Sequence, residues 1–174
     1  MSAIVPRPMP PGAFLARYAG EGAYTDCYAM DLPRRIGFGE YVEAFYTTPL
    51  FRLERMLLAS FARRPSTDAE ARELAQGRRD AFSAWTVEQR GEGQLLLCDV
   101  AGRTRSWLMA HGIGAGDQGG TRLYFGSAVV PLGHARDGTP RFGAAFHALS
   151  GFHRLYTRAL MGSARSRLLA AERR

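Results

Sequence analysis

The sequence predicts an α+β domain in which a curved antiparallel β-meander packs on a long C-terminal helix. A strand-like run comes first, two or three helical segments follow it, and four β-type runs then precede an amphipathic helix over residues 146–169. The gaps between the β-type runs are too short for parallel crossovers, so neighbouring runs should pair as hairpins. We expect a sheet folded around the terminal helix, an arrangement that encloses pockets.

Length and composition narrow the class of protein. The 174 residues suffice for one domain with a core, and the net charge of +7 comes entirely from arginine because the sequence has no lysine. Schiff-base and P-loop lysine chemistry are therefore excluded. Cys27 and Cys98 lie in separate segments without zinc-ligand spacing, so we expect no metal and no cofactor. The two thiols could pair only if the fold brought their Cα atoms within about 7 Å.

The N-terminal residues predict an extended arm. Four prolines within residues 6–11 fix φ and remove amide donors, so residues 1–22 should form a strap or tail beside a single domain over residues 23–174. Neither a signal segment nor an apolar stretch of bilayer length is visible. We therefore expect a cytoplasmic protein.

Residues 24–30 are rich in β formers and predict the first strand. Alternation sets Thr25 and Cys27 on one face and Asp26 and Tyr28 on the other. A carboxylate in mid-strand must be solvated or hydrogen-bonded, because its unpaired burial is expensive. Asp26 is therefore a candidate site residue, with a solvated edge position as the alternative.

Three helices should follow the first strand. Residues 38–46 have helical composition, and Thr48 with Pro49 reads as an N-cap followed by proline at the first helical position. Thr67 and Glu70 form a capping-box pattern that starts the third helix. The second helix should bury one apolar stripe, which consists of Leu50, Leu53, Leu57 and Phe61.

The four β-type runs cover residues 81–89, 94–100, 104–111 and 121–131. Residues 114–119 match GxGxxG, but a strand follows them where a nucleotide site needs a helix, so we expect a hairpin loop. Gly126 precedes Ser127, but the second glycine of a nucleophile elbow is lacking, so Ser127 should be an ordinary strand residue.

The terminal helix carries the candidate catalytic residues. His153 lies at the edge of the apolar side, beside Leu149, Tyr156 and Leu160, where an imidazole would face the sheet. His153, Tyr156 and Asp26 are candidates for acid–base chemistry, and a core histidine bonded to a backbone carbonyl is the alternative.

The third β-type run suggests part of a ligand pocket. If Trp107 and Met109 point into the concavity, Arg105 and His111 lie near its ends and could hold an anionic head group over an apolar floor. The opposite orientation leaves all four outside. The full set of expected ligand-binding residues is Trp85, Arg105, Trp107, Met109, His111, Phe125, Phe152, His153 and Tyr156.

From residue 24 through the final helix, the order of strand, helices, meander and long helix resembles the helix-grip superfamily, which includes START lipid-transfer domains and polyketide-cyclase-like proteins. Residues 123–131 and 152–156 are similar to segments of uncharacterised bacterial proteins. The resemblance implies a pocket for an apolar ligand between the sheet and the terminal helix.

Three functions are open at this point. The first is noncatalytic binding of a small apolar or amphipathic ligand, which could carry an anionic group. The second is a cyclase- or dehydratase-type enzyme with His153 as general acid and base. The third is binding of nucleic acid or an anionic surface through arginine-rich faces, which we favour least because the arginines are spread along the chain and balanced locally by carboxylates.

Overall fold

The computed structural model describes residues 3–62, 66–114 and 119–171, with side chains described outside residues 57–62, 144–152 and 171. It confirms the α+β fold with a seven-stranded antiparallel sheet in the order β1-β2-β7-β6-β5-β4-β3. Its strands are β1 (Val5–Pro6), β2 (Tyr24–Leu32), β3 (Ala81–Phe82), β4 (Trp85–Gly91), β5 (Gln94–Asp99), β6 (Thr104–Ile113) and β7 (Gly120–Val129), and β8 (Gly133–His134) pairs with β9 (Pro140–Arg141). The helices are α1 (Ala16–Gly20), α2 (Phe38–Tyr46), α3 (Pro49–Ala62), α4 (Asp68–Ala75) and α5 (Ala144–Ala171).

The strand pairing closes the meander onto the first long strand. β7 lies between β6 and β2, so the last long strand of the sheet pairs with the first. In this register Asp26 lies opposite Ser127, and Ser127 lies opposite Ser106. A row of polar side chains therefore crosses the helix-facing side of three neighbouring strands, among residues that are otherwise apolar.

The main core lies between the sheet and the helices. α2 contributes Tyr41, Phe45 and Tyr46, all essentially buried, and the Phe45 ring lies 4.9 Å from the ring of Phe125 on β7. α5 adds Leu160, Met161, Ala164 and Leu168. Burial of this aromatic and aliphatic surface holds the four longer helices to one face of the sheet.

The opposite face of the sheet is covered by the N-terminal arm, which is a strap. Leu15 and Tyr18 are buried there against Trp107. The side chain of Gln94 accepts hydrogen bonds from the backbone N–H of Phe14 at 3.2 Å and from Trp107 Nε1 at 3.0 Å. A Cβ at Gly126 would lie 2.7 Å from Leu15, so glycine permits the strap to approach β7.

Several local predictions are confirmed. The first strand and the helix over residues 38–46 lie where expected. α4 begins with the expected capping box, in which Thr67 and Glu70 bond each other's backbone N–H. No helix among the described residues combines the length and the apolar character needed to cross a bilayer. Cys27 and Cys98 are both free thiols.

Two local predictions were wrong. The expected strand over residues 81–89 is a hairpin of β3 and β4, because Ser83 adopts φ +54° and turns the chain. The stripe expected on α3 is buried only in part: Leu50 packs against the core, but Leu53 is 49% exposed, and Phe51 and Arg55 are buried instead. The ion pair of Arg55 with Asp68 of α4 at 2.6 Å makes the burial of this guanidinium possible. The side chains of Leu57 and Phe61, and residues 115–118 of the glycine-rich loop, lie outside the described part of the chain.

Candidate functional site

Three polar side chains from distant parts of the sequence meet at the edge of the helix-facing core. β2 supplies Asp26, β7 supplies Ser127 and α5 supplies His153. Ser127 Oγ lies 2.7 Å from Asp26 Oδ1 and 2.8 Å from His153 Nε2. His153 Nε2 also lies 3.0 Å from Asp26 Oδ2, and the Asp26 side chain is only 11% exposed. We refer to these three residues as the Asp26 network.

The protons of the Asp26 network can be assigned from its contacts. The Ser127 hydroxyl has one proton, which it donates to Asp26 Oδ1, and the backbone N–H of Ser127 donates to the same oxygen at 3.0 Å. Ser127 Oγ then accepts from His153 Nε2, which places the ring proton on Nε2. The other tautomer would set a lone pair 3.0 Å from the Asp26 carboxylate, where two acceptors repel.

This assignment limits the chemistry of Ser127. In a serine nucleophile the imidazole takes the hydroxyl proton, whereas here that proton is directed at a carboxylate and the imidazole is a donor. Asp26 Oδ2 is buried and receives no hydrogen bond, so the imidazole offers only electrostatic compensation to it. The network is therefore an imidazole and carboxylate pair bridged by a hydroxyl, suited to holding or moving a proton.

Asp26 also lines an open cleft of about 610 Å³ between the N-terminal arm, β2 and α5. The N-terminal arm forms one wall of the cleft, and the polar side of α5 forms the other. Residues of β2 form the floor between them. The lining residues are Pro6, Arg7, Pro8, Tyr24, Thr25, Asp26, Cys27, Tyr28, Arg154 and Arg158.

The cleft is electropositive. Arg7, Arg154 and Arg158 contribute three guanidinium groups against the single lining carboxylate of Asp26. The charge of Arg7 also acts on Asp31, and no carboxylate of the described residues forms an ion pair with Arg154 or Arg158. The Arg158 guanidinium lies over the Tyr28 ring, 5.9 Å from its centre. Burial, together with the charge of Asp26, raises the pKa of the Tyr24 hydroxyl, and Arg154 opposes that rise. The Tyr24 hydroxyl is therefore neutral at physiological pH, and the rings of Tyr24 and Tyr28 add apolar surface to the cleft.

Cys27 lies at the base of the cleft but is not a nucleophile there. Its thiol is buried in the opposite face of the sheet, with Trp107 and Ala128. Burial raises the pKa of Cys27 to about 12, so the thiol stays protonated at neutral pH.

The structure does not bring the nine expected ligand-binding residues together. Trp107 and Met109 pack on the face away from α5, beneath the N-terminal strap, and His111 is exposed near the end of β6. Phe125 and Trp85 do lie on the helix-facing side, but Phe125 is buried in the core and Trp85 packs against that core from β4. The side chain of Phe152 lies outside the described part of the chain. Of the nine, His153 is the one that joins the Asp26 network.

Arg105 is occupied by a structural contact on the strap-covered face. Its Nε donates to Glu88 Oε2 at 2.6 Å and to the Tyr18 hydroxyl at 2.7 Å. The guanidinium also lies 4.7 Å from the centre of the Tyr18 ring. This arginine anchors the strap to β4 and β6, on the side opposite the cleft.

Tyr156 faces α3 and binds a glutamate there. Its hydroxyl donates a hydrogen bond to Glu54 Oε2. Burial raises the pKa of Glu54, and the Tyr156 hydrogen bond opposes that rise. Tyr156 therefore links α5 to α3, one helical turn beyond His153, and its hydroxyl already has a partner.

Sequence reasoning missed most of the cleft. Arg154 and Arg158 are not among the expected site residues, although their spacing of four residues does place them on one side of the helix. Ser127 was predicted to be an ordinary strand residue, and only the pairing of β2 with β7 reveals that it bonds Asp26. Among the described residues, no group of three or more His, Cys, Asp or Glu side chains is placed to hold a metal ion.

Two comparisons with known proteins found no relative of this chain. A scan against protein-family models gave no match, and a search of curated proteins gave none either. The resemblance to helix-grip proteins therefore stays a prediction from the order of elements, and the site has to be interpreted from its own geometry.

Proposed function

We propose that the protein binds a small amphipathic molecule with an acidic group in the cleft between β2 and α5, without converting it. The supporting observation is the set of three guanidinium groups, Arg7, Arg154 and Arg158, that line the cleft around a single lining carboxylate. The charge of Arg7 also acts on Asp31, whereas Arg154 and Arg158 form no ion pair with a carboxylate of the described residues. A guanidinium presents several donors to a carboxylate or phosphate oxygen and remains charged at all physiological pH values.

The remaining walls suit the apolar part of such a molecule. Tyr24 and Tyr28 present aromatic surface beside the arginines, and Pro6 and Pro8 of the arm add apolar rings. Ligand sites commonly combine an apolar lining with a few polar groups that fix orientation. A volume of about 610 Å³ falls within the range of small-molecule sites, which runs from about 300 to 1,000 Å³.

Titration calorimetry with three probes of equal chain length tests the proposal. We expect dodecanoate to bind and dodecanol and dodecylamine to bind far more weakly, because only the carboxylate pairs with the arginines. Substitution of both Arg154 and Arg158 by methionine keeps the apolar stems and should weaken dodecanoate binding at least about tenfold, the value of one charge-assisted hydrogen bond. Equal affinity for dodecanol, or an unchanged affinity of the double variant, would reject the proposal.

The same helix offers a matched control. Arg167 is exposed on α5 and does not line the cleft. The substitution Arg167→Met removes one positive charge from the same helix, as Arg154→Met and Arg158→Met each do alone. Comparison with these single variants separates loss of a specific contact from loss of general electrostatic attraction. We expect Arg167→Met to bind dodecanoate with wild-type affinity.

A second candidate function, an acid–base enzyme of dehydratase type, is favoured by the Asp26 network. In such a reaction the Asp26 carboxylate removes the proton next to the carboxyl group of a β-hydroxy acid. The imidazolium form of His153 donates its Nε2 proton to the departing hydroxyl and becomes neutral, and water leaves as the double bond forms. The proton taken by Asp26 then returns to the imidazole, 3.0 Å away, which restores both groups. Asp26 lines the cleft, and His153, which is not a lining residue, lies 3.0 Å from the Asp26 carboxylate. The imidazole can therefore reach a ligand only where that ligand is held against Asp26.

β-Hydroxydodecanoate tests this second function. Turnover would appear as the absorbance of the conjugated acid, and His153→Gln should abolish it while leaving dodecanoate binding intact. A wild-type protein that binds β-hydroxydodecanoate without forming the unsaturated acid would reject dehydration and retain the binding function.

A further inference from the structure

The junction of α3, α4 and the β3–β4 hairpin is remote from the cleft and contains a group of buried polar atoms without hydrogen-bond partners. Eight buried side-chain polar atoms of the described residues have no hydrogen-bond partner. Five of them lie in or beside this junction, which makes it the main concentration of unmet hydrogen bonding in the described part of the chain. They are Arg55 Nε, Arg55 Nη1, Ser66 Oγ, Ser83 Oγ and Trp85 Nε1.

The Phe82 ring relates these atoms in space. The Arg55 guanidinium lies over this ring, 5.6 Å from its centre. Trp85 pairs with Phe82 across the hairpin, so the two side chains are neighbours on the same side of the sheet. Arg55 also binds Asp68, at the start of α4, and Ser66 immediately precedes the cap of that helix.

The chemistry of the unpartnered atoms calls for an acceptor. Both Arg55 nitrogens and the indole nitrogen of Trp85 are donors that cannot accept a hydrogen bond. Burial of such donors without a partner is costly, most of all for a guanidinium whose side chain is only 8% exposed. An acceptor with several lone pairs would satisfy them together.

The local charge indicates that the acceptor is an anion. Arg52 and Arg55 both bind the one carboxylate of Asp68, with Arg52 Nε at 3.2 Å and Arg55 Nη2 at 2.6 Å. Two cations therefore share one anion, which leaves an excess positive charge beside the unpartnered donors. Asp68 is partly exposed, so the cluster reaches the surface.

We infer that this junction is a binding site for a small oxyanion, such as phosphate, held by Arg55 and the indole N–H of Trp85. The hydroxyls of Ser66 and Ser83 are available as further donors. This site is independent of the cleft, since none of its residues lines the cleft and its ligand needs no apolar part.

Thermal unfolding with inorganic phosphate, compared with chloride at equal ionic strength, tests the site. A ligand that binds only the folded state raises Tm with concentration, so phosphate should stabilise the wild-type protein. Trp85→Phe retains the ring and removes the donor, and it should weaken the phosphate response about tenfold. Arg55→Met should abolish the response.

The double variant with methionine at positions 154 and 158 is the control for phosphate binding in the cleft, and it should respond as the wild type does. If Arg55→Met does not fold, Trp85→Phe and the double variant decide the matter alone. The inference is overturned if phosphate does not stabilise the wild type, if Trp85→Phe responds fully, or if the response is lost in the double variant. The first two results would mean that water, and not an anion, satisfies the donors of the junction. The third result would mean that phosphate binds in the cleft.

Discussion

Ser127 Oγ lies 2.8 Å from His153 Nε2, and this contact joins the last long strand of the sheet to the terminal helix. The same hydroxyl donates to Asp26 on the neighbouring strand at 2.7 Å. One serine therefore links β7, β2 and α5 beside the cleft. The position of the imidazole, and with it one end of the Asp26 network, depends on this hydroxyl.

Substitution Ser127→Ala should destabilise the fold by about 1–3 kcal/mol, because it removes a donor from a nearly buried carboxylate and an acceptor from the imidazole. Urea denaturation followed by circular dichroism measures the change in the free energy of unfolding. Ser166→Ala is the matched control, since Ser166 is exposed on α5 and bonds only a carbonyl of its own helix. It should cost less than about 0.5 kcal/mol. Equal effects of the two substitutions would contradict the network.

The neutral imidazole of His153 should carry its proton on Nε2, since that nitrogen faces a hydroxyl acceptor and a carboxylate. Long-range nitrogen–proton NMR correlations distinguish the two tautomers directly. The exposed His111 provides a reference ring in the same spectrum. A proton on Nδ1 of His153 would mean that Ser127 donates to the imidazole, and the nucleophile that we exclude would then be possible.

Glu54 should make the stability of the protein fall as pH rises above the ordinary glutamic acid range. Burial raises the pKa of Glu54 above 4.5, so the folded state holds its proton more tightly than the unfolded state does. Its stabilising contribution is complete below pH 4.5 and is lost as pH rises through the higher folded-state pKa. Glu54→Gln lacks this titration. As pH rises through the folded-state pKa of Glu54, the free energy of unfolding of the variant should therefore increase relative to that of the wild type.

Urea denaturation of both proteins at a series of pH values measures the Glu54 effect. Glu92→Gln removes a carboxylate from the exposed β4–β5 turn and controls for the change in net charge. If the difference between Glu54→Gln and the wild type does not change with pH, or shrinks as pH rises, the buried carboxyl does not titrate as described.

Gly126→Ala should destabilise the protein by about 1–3 kcal/mol, because the added Cβ would lie 2.7 Å from Leu15 and 2.8 Å from the backbone oxygen of Asp26. The backbone oxygen belongs to the strand that carries the site, so relief of the clash would shift the strap or β2. Gly20→Ala is the control, since no atom lies within 4 Å of its added Cβ. Thermal unfolding compares the two, and a Gly126→Ala Tm equal to that of Gly20→Ala would show that the strap does not pack closely on β7.

The sequence was informative about local structure. Composition and capping patterns predicted α2, α4 and the first strand, and alternation correctly set Asp26 and Tyr28 on one face of β2. These features depend on neighbours within a few residues, where the chain's own stereochemistry determines the outcome.

The site depends instead on contacts between distant residues. Asp26 and Ser127 are separated by 101 positions, and their pairing follows from the register of β2 against β7. Alternation divides β6 into two faces but cannot tell which face meets the helices, and the structure places Trp107 on the other one. The burial of Arg55 depends in the same way on Asp68 from the next helix.

Photo-crosslinking with a diazirine derivative of dodecanoate, followed by peptide mass spectrometry, tests the central claim most directly because it locates the ligand. The account predicts adducts on residues 5–8, 24–28 and 153–158, suppressed by excess dodecanoate and lost when methionine replaces both Arg154 and Arg158. Adducts confined to other segments, or adducts on the cleft that persist in the double variant, would contradict an anionic ligand held at this cleft.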